Sequence, residues 1–282
     1  MEKRKAFASR RPLLSALLLI PIALVVSNLA AILVVVLTPV DQSDPILALL
    51  GALAGTLFLV LLLWRLGGLK AAGVTSLGSW KGWLATLVLL AYYLLALSYA
   101  FFAEFRFDIP PEALSGLKVP SVLLGALFEE ILFRSTILFV LLSAWGSSRK
   151  RILQAVALST LLFGAIHAFN ALAGDPREAL GQIAIALLEG VWWAALLLRW
   201  GSLWPVVLIH AATNWILQAQ ALRFEDYHGT ASSYGLALLF GLPLAALGVW
   251  WLARANLEHY DEVFSFRDDS GAKNPPARSY KN

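Results

Sequence analysis

The stretch that decides the reading of this chain is "FEEILFRSTIL", residues 128–138. Two adjacent glutamates and an arginine sit inside a run that otherwise reads as hydrocarbon. Each such group costs at least a few kcal/mol in a bilayer, by an estimate of about 3 kcal/mol at a helix centre. A chain that places three of them together needs them for pairing or for chemistry.

The surroundings show that the solvent is a membrane. Of 282 residues, 59% are hydrophobic and only 14% charged, against roughly 25% charged in soluble domains. Spanning a bilayer core takes about 20 apolar residues, and eight segments qualify: 13–38, 46–64, 82–104, 120–145, 152–173, 179–199, 203–221 and 235–254. The expected fold is all-α, a polytopic transmembrane bundle of about eight helices enclosing a polar cavity within the membrane. The bundle fills residues 1–254, and residues 255–282 lose the apolar pattern and read as a largely disordered cytoplasmic tail. The first apolar run continues to about residue 38, well past the h-region of a signal peptide, so it reads as a retained helix.

Charge orients the bundle. With the N-terminus inside, the inner segments hold seventeen Lys and Arg, from Lys3 to Lys81, Arg149, Arg199 and Lys281, against Arg106, Lys118, Arg177 and Arg223 outside. This positive-inside bias predicts eight crossings with both termini cytoplasmic, in a membrane that fits a bacterial plasma membrane. The positive balance is therefore a topology signal, with no single basic patch to serve a nucleic acid. The complete lack of cysteine removes thiol nucleophiles, disulfides, thiolate metal sites and cysteine-borne lipid anchors.

Two minor motifs read as packing. "GALAG" (Gly51 to Gly55) has small-xxx-small spacing and predicts close helix contact inside the bundle. Trp192, Trp193, Trp200 and Trp204 cluster toward one membrane face and read as interfacial anchors.

The intramembrane polar groups carry the functional reading. Glu130 and Arg134 are four apart, share a helix face and can neutralise each other. Glu129 lies 100° round the helix and must find partners elsewhere. Of four histidines, His228 falls in an outer loop and His259 in the tail, whereas His167 ("FGAIHAFN") and His210 ("LIHAATNW") lie within helices. At about 1.5 Å per residue, Glu129, His167, His210 and Asn214 all fall roughly 9–17 Å below the outer surface. Three helices thus bring polar groups to one level. His210 and Asn214, one turn apart, make a pair of donors for an oxyanion, while Glu129 and His167 can hold and deprotonate a water.

The motifs resemble the CAAX-protease and bacteriocin-processing (CPBP) family of intramembrane proteases, which includes the type II prenyl-protein endopeptidases. EExxxR stands as Glu129-Glu130 to Arg134, FxxxH as Phe163 to His167, and HxxxN as His210 to Asn214, over about residues 120–217. The resemblance implies an endopeptidase acting on membrane-associated peptides or proteins. By it, Glu129 and His167 activate the water, His210 and Asn214 stabilise the oxyanion, and Glu130 and Arg134 support the site. Glu189, in the family-like "LLEGVWW", is a candidate for a supporting place behind them.

No cofactor is expected. A zinc site of Glu129, His167 and His210 is the alternative, and it lacks the extra glutamate of an HExxH motif. Two other functions compete: a non-catalytic membrane factor for bacteriocin maturation or immunity, and a proton-coupled transporter built on buried Glu, His and Arg.

Overall fold

The computed structural model describes residues 10–38, 40–41, 44–102, 109–114, 116–146, 148–172, 174–222 and 229–254. The tail 255–282, His228 and His259 lie outside them. Among the described residues every regular element is helical. The helices are α1 (Pro12–Leu37), α2 (Pro45–Leu66), α3 (Trp80–Phe102) and the short α4 (Pro111–Leu114). A continuous rod follows, made of α5 (Lys118–Glu130), a π-helical segment (Ile131–Ile137) and α6 (Leu138–Trp145). Next come α7 (Arg149–Ile166) with a 3₁₀ extension (His167–Leu172), α8 (Pro176–Trp200), α9 (Trp204–Ala221) and α10 (Ala231–Ala253).

The helix boundaries follow local chemistry. Asp44 and Asp175 cap α2 and α8, accepting from the N–H groups of Ile46 and Arg177, with proline at the first helical position of each. Both helices end on a left-handed glycine, Gly67 and Gly201, the backbone state that glycine adopts without strain.

Six of these helices are long and apolar enough to cross a membrane: α1, α2, α3, α7 with its extension, α8 and α10. The expected count of eight is not reached on that criterion, for a physical reason. The rod 118–145 is interrupted as an α-helix by its π turns and carries Glu129, Glu130 and Arg134. The short α9 carries His210, Asn214, Gln218 and Gln220. The two elements that fall short are those that bear most of the polar site. They stand inside the bundle: Ile131 to Leu142 are all buried, and most of α9 is buried too, as its polar middle predicts.

GALAG does pack internally. A Cβ on Gly51 would lie 3.0 Å from the carbonyl of Ser27 on α1, and one on Gly55 would overlap the Phe128 ring on the rod. The tryptophans correct the sequence reading. Trp192 and Trp193 are each only 1% exposed. Every residue from Trp192 to Leu198 is buried, because α8 is packed on several sides by α7, α9 and α10. These rings are core, and Trp193 belongs to the site.

The segment 67–79 between α2 and α3 ties the polar helices together. The Ser135 hydroxyl on the π segment donates to the Ala72 carbonyl at 2.8 Å. The Leu203 N–H, the Trp204 indole and the Ser202 hydroxyl, at the start of α9, donate to Gly73 (3.1 Å), Val74 (3.0 Å) and Ser76 (2.6 Å). Side chains and N–H groups thus replace the water that a loop's carbonyls would otherwise need, and the rod and α9 are clamped to one piece of backbone.

Gly55→Leu is expected to destabilise the protein by about 1–3 kcal/mol, since Phe128 must leave its rotamer. Gly125→Ala, whose added Cβ meets nothing within 4 Å, is expected to be neutral or stabilising. Thermal unfolding of both variants in detergent checks the contrast.

Candidate active site

Glu130 is fully buried at the last α-helical turn before the π segment, and its Oε1 lies 3.2 Å from Nη1 of Arg134. The same Oε1 accepts a hydrogen bond from Nδ1 of His210 at 2.8 Å. One carboxylate oxygen therefore joins the rod to α9. Neither Nη1 nor Nη2 of Arg134 makes a well-aligned hydrogen bond among the described residues. The guanidinium carbon lies 3.8 Å from the centre of the Phe163 ring and 5.1 Å from that of Trp193. The charge is held by an ion pair and two aromatic faces, an arrangement that suits a flat guanidinium far better than an ammonium.

Two rings also set the histidines. His210 packs on Trp193, with centroids 4.7 Å apart and planes tilted by 33°. Phe163 lies edge-on to His167 at 4.9 Å and to His210 at 6.1 Å, so both imidazoles flank one aromatic side chain. His167 stands where α7 passes into its 3₁₀ turn, and its Nδ1 lies 2.9 Å from the Phe163 carbonyl. A carbonyl only accepts, so Nδ1 carries the proton and the lone pair is on Nε2. This bond explains the FxxxH spacing: Phe163 supplies a ring below His167 and a carbonyl that fixes its tautomer.

Glu129 points elsewhere than Glu130, as the 100° offset predicts. Its side chain keeps 31% exposure, and Oε2 lies 3.8 Å from Nε2 of His210, beyond hydrogen-bond distance. It is the accessible carboxylate of the pair. Asn214 is half-buried one turn beyond His210 on α9. The structure thus brings Glu129, Glu130, Arg134 and His210 into direct contact or near-contact and joins His167 to them through Phe163.

Three features escape sequence reasoning. The π segment begins directly after Glu130, and its widened turns leave Phe133 O to be met by the Ser159 hydroxyl of α7 at 2.8 Å; such segments favour functional sites, and no residue pattern announces one. Trp193 forms the floor under His210. Glu189, one turn before Trp193 on α8, accepts a 2.6 Å hydrogen bond from the Tyr93 hydroxyl of α3. The sequence offers Glu189 as a candidate but gives no sign of Tyr93.

Among the described residues no three His, Asp or Glu side chains gather into a set able to hold a metal ion. Of Glu129, His167 and His210, Glu129 and His210 approach to 3.8 Å, while His167 stands across the Phe163 ring.

The site is therefore a set of acid, base and amide side chains on the rod, α9 and the end of α7, walled by Phe163 and Trp193. Residues 112–216 match the family model of the Rce1-like proteins, described as type II CAAX prenyl endopeptidase Rce1-like. The matched segment is similar to that family, consistent with the CPBP group and, at the coarse level, with a protease, and the six long apolar helices suit a multi-pass integral membrane protein. Comparison with the curated proteins and with the solved structures gave no match.

Arg134→Met is expected to cost about 3–5 kcal/mol, because it leaves Glu130 buried without its cation. The double change Arg134→Met with Glu130→Gln removes both charges and is expected to recover most of that loss. A double-mutant cycle on unfolding in detergent measures it.

Proposed function

We propose that the protein is an intramembrane endopeptidase of the glutamate type, cleaving peptide bonds in membrane-associated peptides or proteins. The observation that carries this reading is the junction at His210: one ring nitrogen on the buried Glu130, the other facing the accessible Glu129, with His167 across a shared Phe163 ring.

In this mechanism Glu129 and Nε2 of His167 hold a water between them. Glu129 takes its proton as the oxygen attacks the scissile carbonyl, and later returns a proton to the leaving amine. His210 and Asn214 donate to the oxyanion of the tetrahedral intermediate. With its Nδ1–H committed to Glu130, His210 can donate from Nε2 only as the imidazolium, so Glu130 orients the ring and balances its charge. Arg134 balances Glu130 in turn. Glu189, held by Tyr93, supports the wall behind Trp193. No metal ion takes part.

The topology belongs to the same reading. Eight crossings with cytoplasmic termini follow from the seventeen-to-four charge asymmetry, with the rod and α9 crossing as interior helices screened from lipid by the others.

Purified enzyme in nanodiscs tests the reading, using a lipidated and an unlipidated peptide of one sequence. Glu129→Gln is expected to abolish cleavage without changing the melting temperature. Asn214→Ala is expected to lower kcat about a hundred- to a thousandfold with KM nearly unchanged. A metal chelator is expected to leave the rate unchanged. Retained cleavage in Glu129→Gln overturns the mechanism.

A further inference from the structure

The membrane face that carries the 67–79 segment also carries a set of cation–aromatic pairs. Lys81 Nζ lies 5.9 Å from the Trp80 ring, and the Arg199 guanidinium lies 5.3 Å from Trp200 and 5.1 Å from Trp251. They are connected. The Trp200 ring packs against Gly82, where an added Cβ would lie 3.0 Å from it, so the end of α8, with Arg199, meets the start of α3, with Lys81. Among the described residues neither cation meets a carboxylate.

Directly below these charges, between α3 and α10, runs a groove of about 400 Å³ lined by Trp80, Lys81, Leu84, Ala85, Val88 and Leu89 of α3 and Trp251 of α10. Leu84, Ala85, Val88 and Leu89 continue from Lys81 at helical spacing and form one stripe down α3. From Lys81 to Leu89 the stripe descends about 12 Å, most of the roughly 15 Å hydrocarbon depth of one leaflet. Trp80, Lys81 and Trp251 stand at one end of the groove, with Arg199 against the Trp251 ring, and the rest of its lining is hydrocarbon.

We propose that this groove is a binding site for one anionic phospholipid, with an acyl chain along Leu84, Ala85, Val88 and Leu89 and the phosphate at Lys81 and Arg199. The charge decides the lipid class. A phosphate without a neighbouring ammonium gains from both cations, whereas a choline headgroup brings a third positive charge to the same place. The site is separate from the peptidase centre and does not depend on it.

Native mass spectrometry of the full chain, released from detergent containing equal phosphatidylglycerol and phosphatidylcholine, tests the proposal. The wild type is expected to retain phosphatidylglycerol about fivefold or more over phosphatidylcholine, the scale of one cation contact. Lys81→Gln with Arg199→Gln is expected to abolish that preference. Arg65→Gln with Lys70→Gln, which removes the same charge from the same face, is expected to keep it. Ala85→Phe, which fills the groove and keeps both cations, is expected to lower retention of either lipid and supplies the test if the double variant does not fold. No preference in the wild type, an equal loss in the two double variants, or unchanged retention in Ala85→Phe overturns the proposal.

Discussion

The buried contact of Glu130 with Arg134 and His210 is the constraint on which the rest of the structure depends. A carboxylate away from water is tolerable when its charge is answered, and here one oxygen meets a guanidinium 3.2 Å away and an imidazole 2.8 Å away. This contact fixes the depth of α9 against the rod. It also requires the aromatic shell: Phe163 and Trp193 lie against the guanidinium on one side and against His210 on the other. The 67–79 segment secures the same two elements, holding the rod at Ser135, next to Arg134, and α9 at its start.

That arrangement separates two neighbouring glutamates by environment. Glu130 is enclosed and committed, while Glu129 is accessible and, among the described residues, approaches His210 no closer than 3.8 Å. The sequence places them side by side; the helix turns them apart. The proposed division of labour, structure for one and chemistry for the other, follows from that difference in burial.

Much of this was legible in the residues. The i to i+4 spacing of Glu130 and Arg134 foretold their pair, and the equal depths of Glu129, His167 and His210 foretold that three helices meet. The apolar segments 46–64 and 203–221 marked the ends of α2 and α9 within two residues. The misses have physical reasons. Trp192 and Trp193 read as interfacial because tryptophan favours interfaces, but burial of α8 by its neighbours outweighed that preference. The π segment and the loop clamp depend on hydrogen bonds between residues far apart in sequence, such as Ser135 with Ala72, which no local pattern encodes. Six helices, not eight, are long and apolar enough to cross a membrane, because the rod and α9 carry the polar groups of the site.

The most direct test of the central claim compares protein termini in membranes of cells carrying the wild-type chain or Glu129→Gln at equal abundance. The account predicts a set of new termini present with the wild type and absent with the variant, which also identifies the substrates and the bonds cut. Identical termini in both, under conditions where membrane substrates are expressed, would contradict it and leave the two glutamates with a structural role alone.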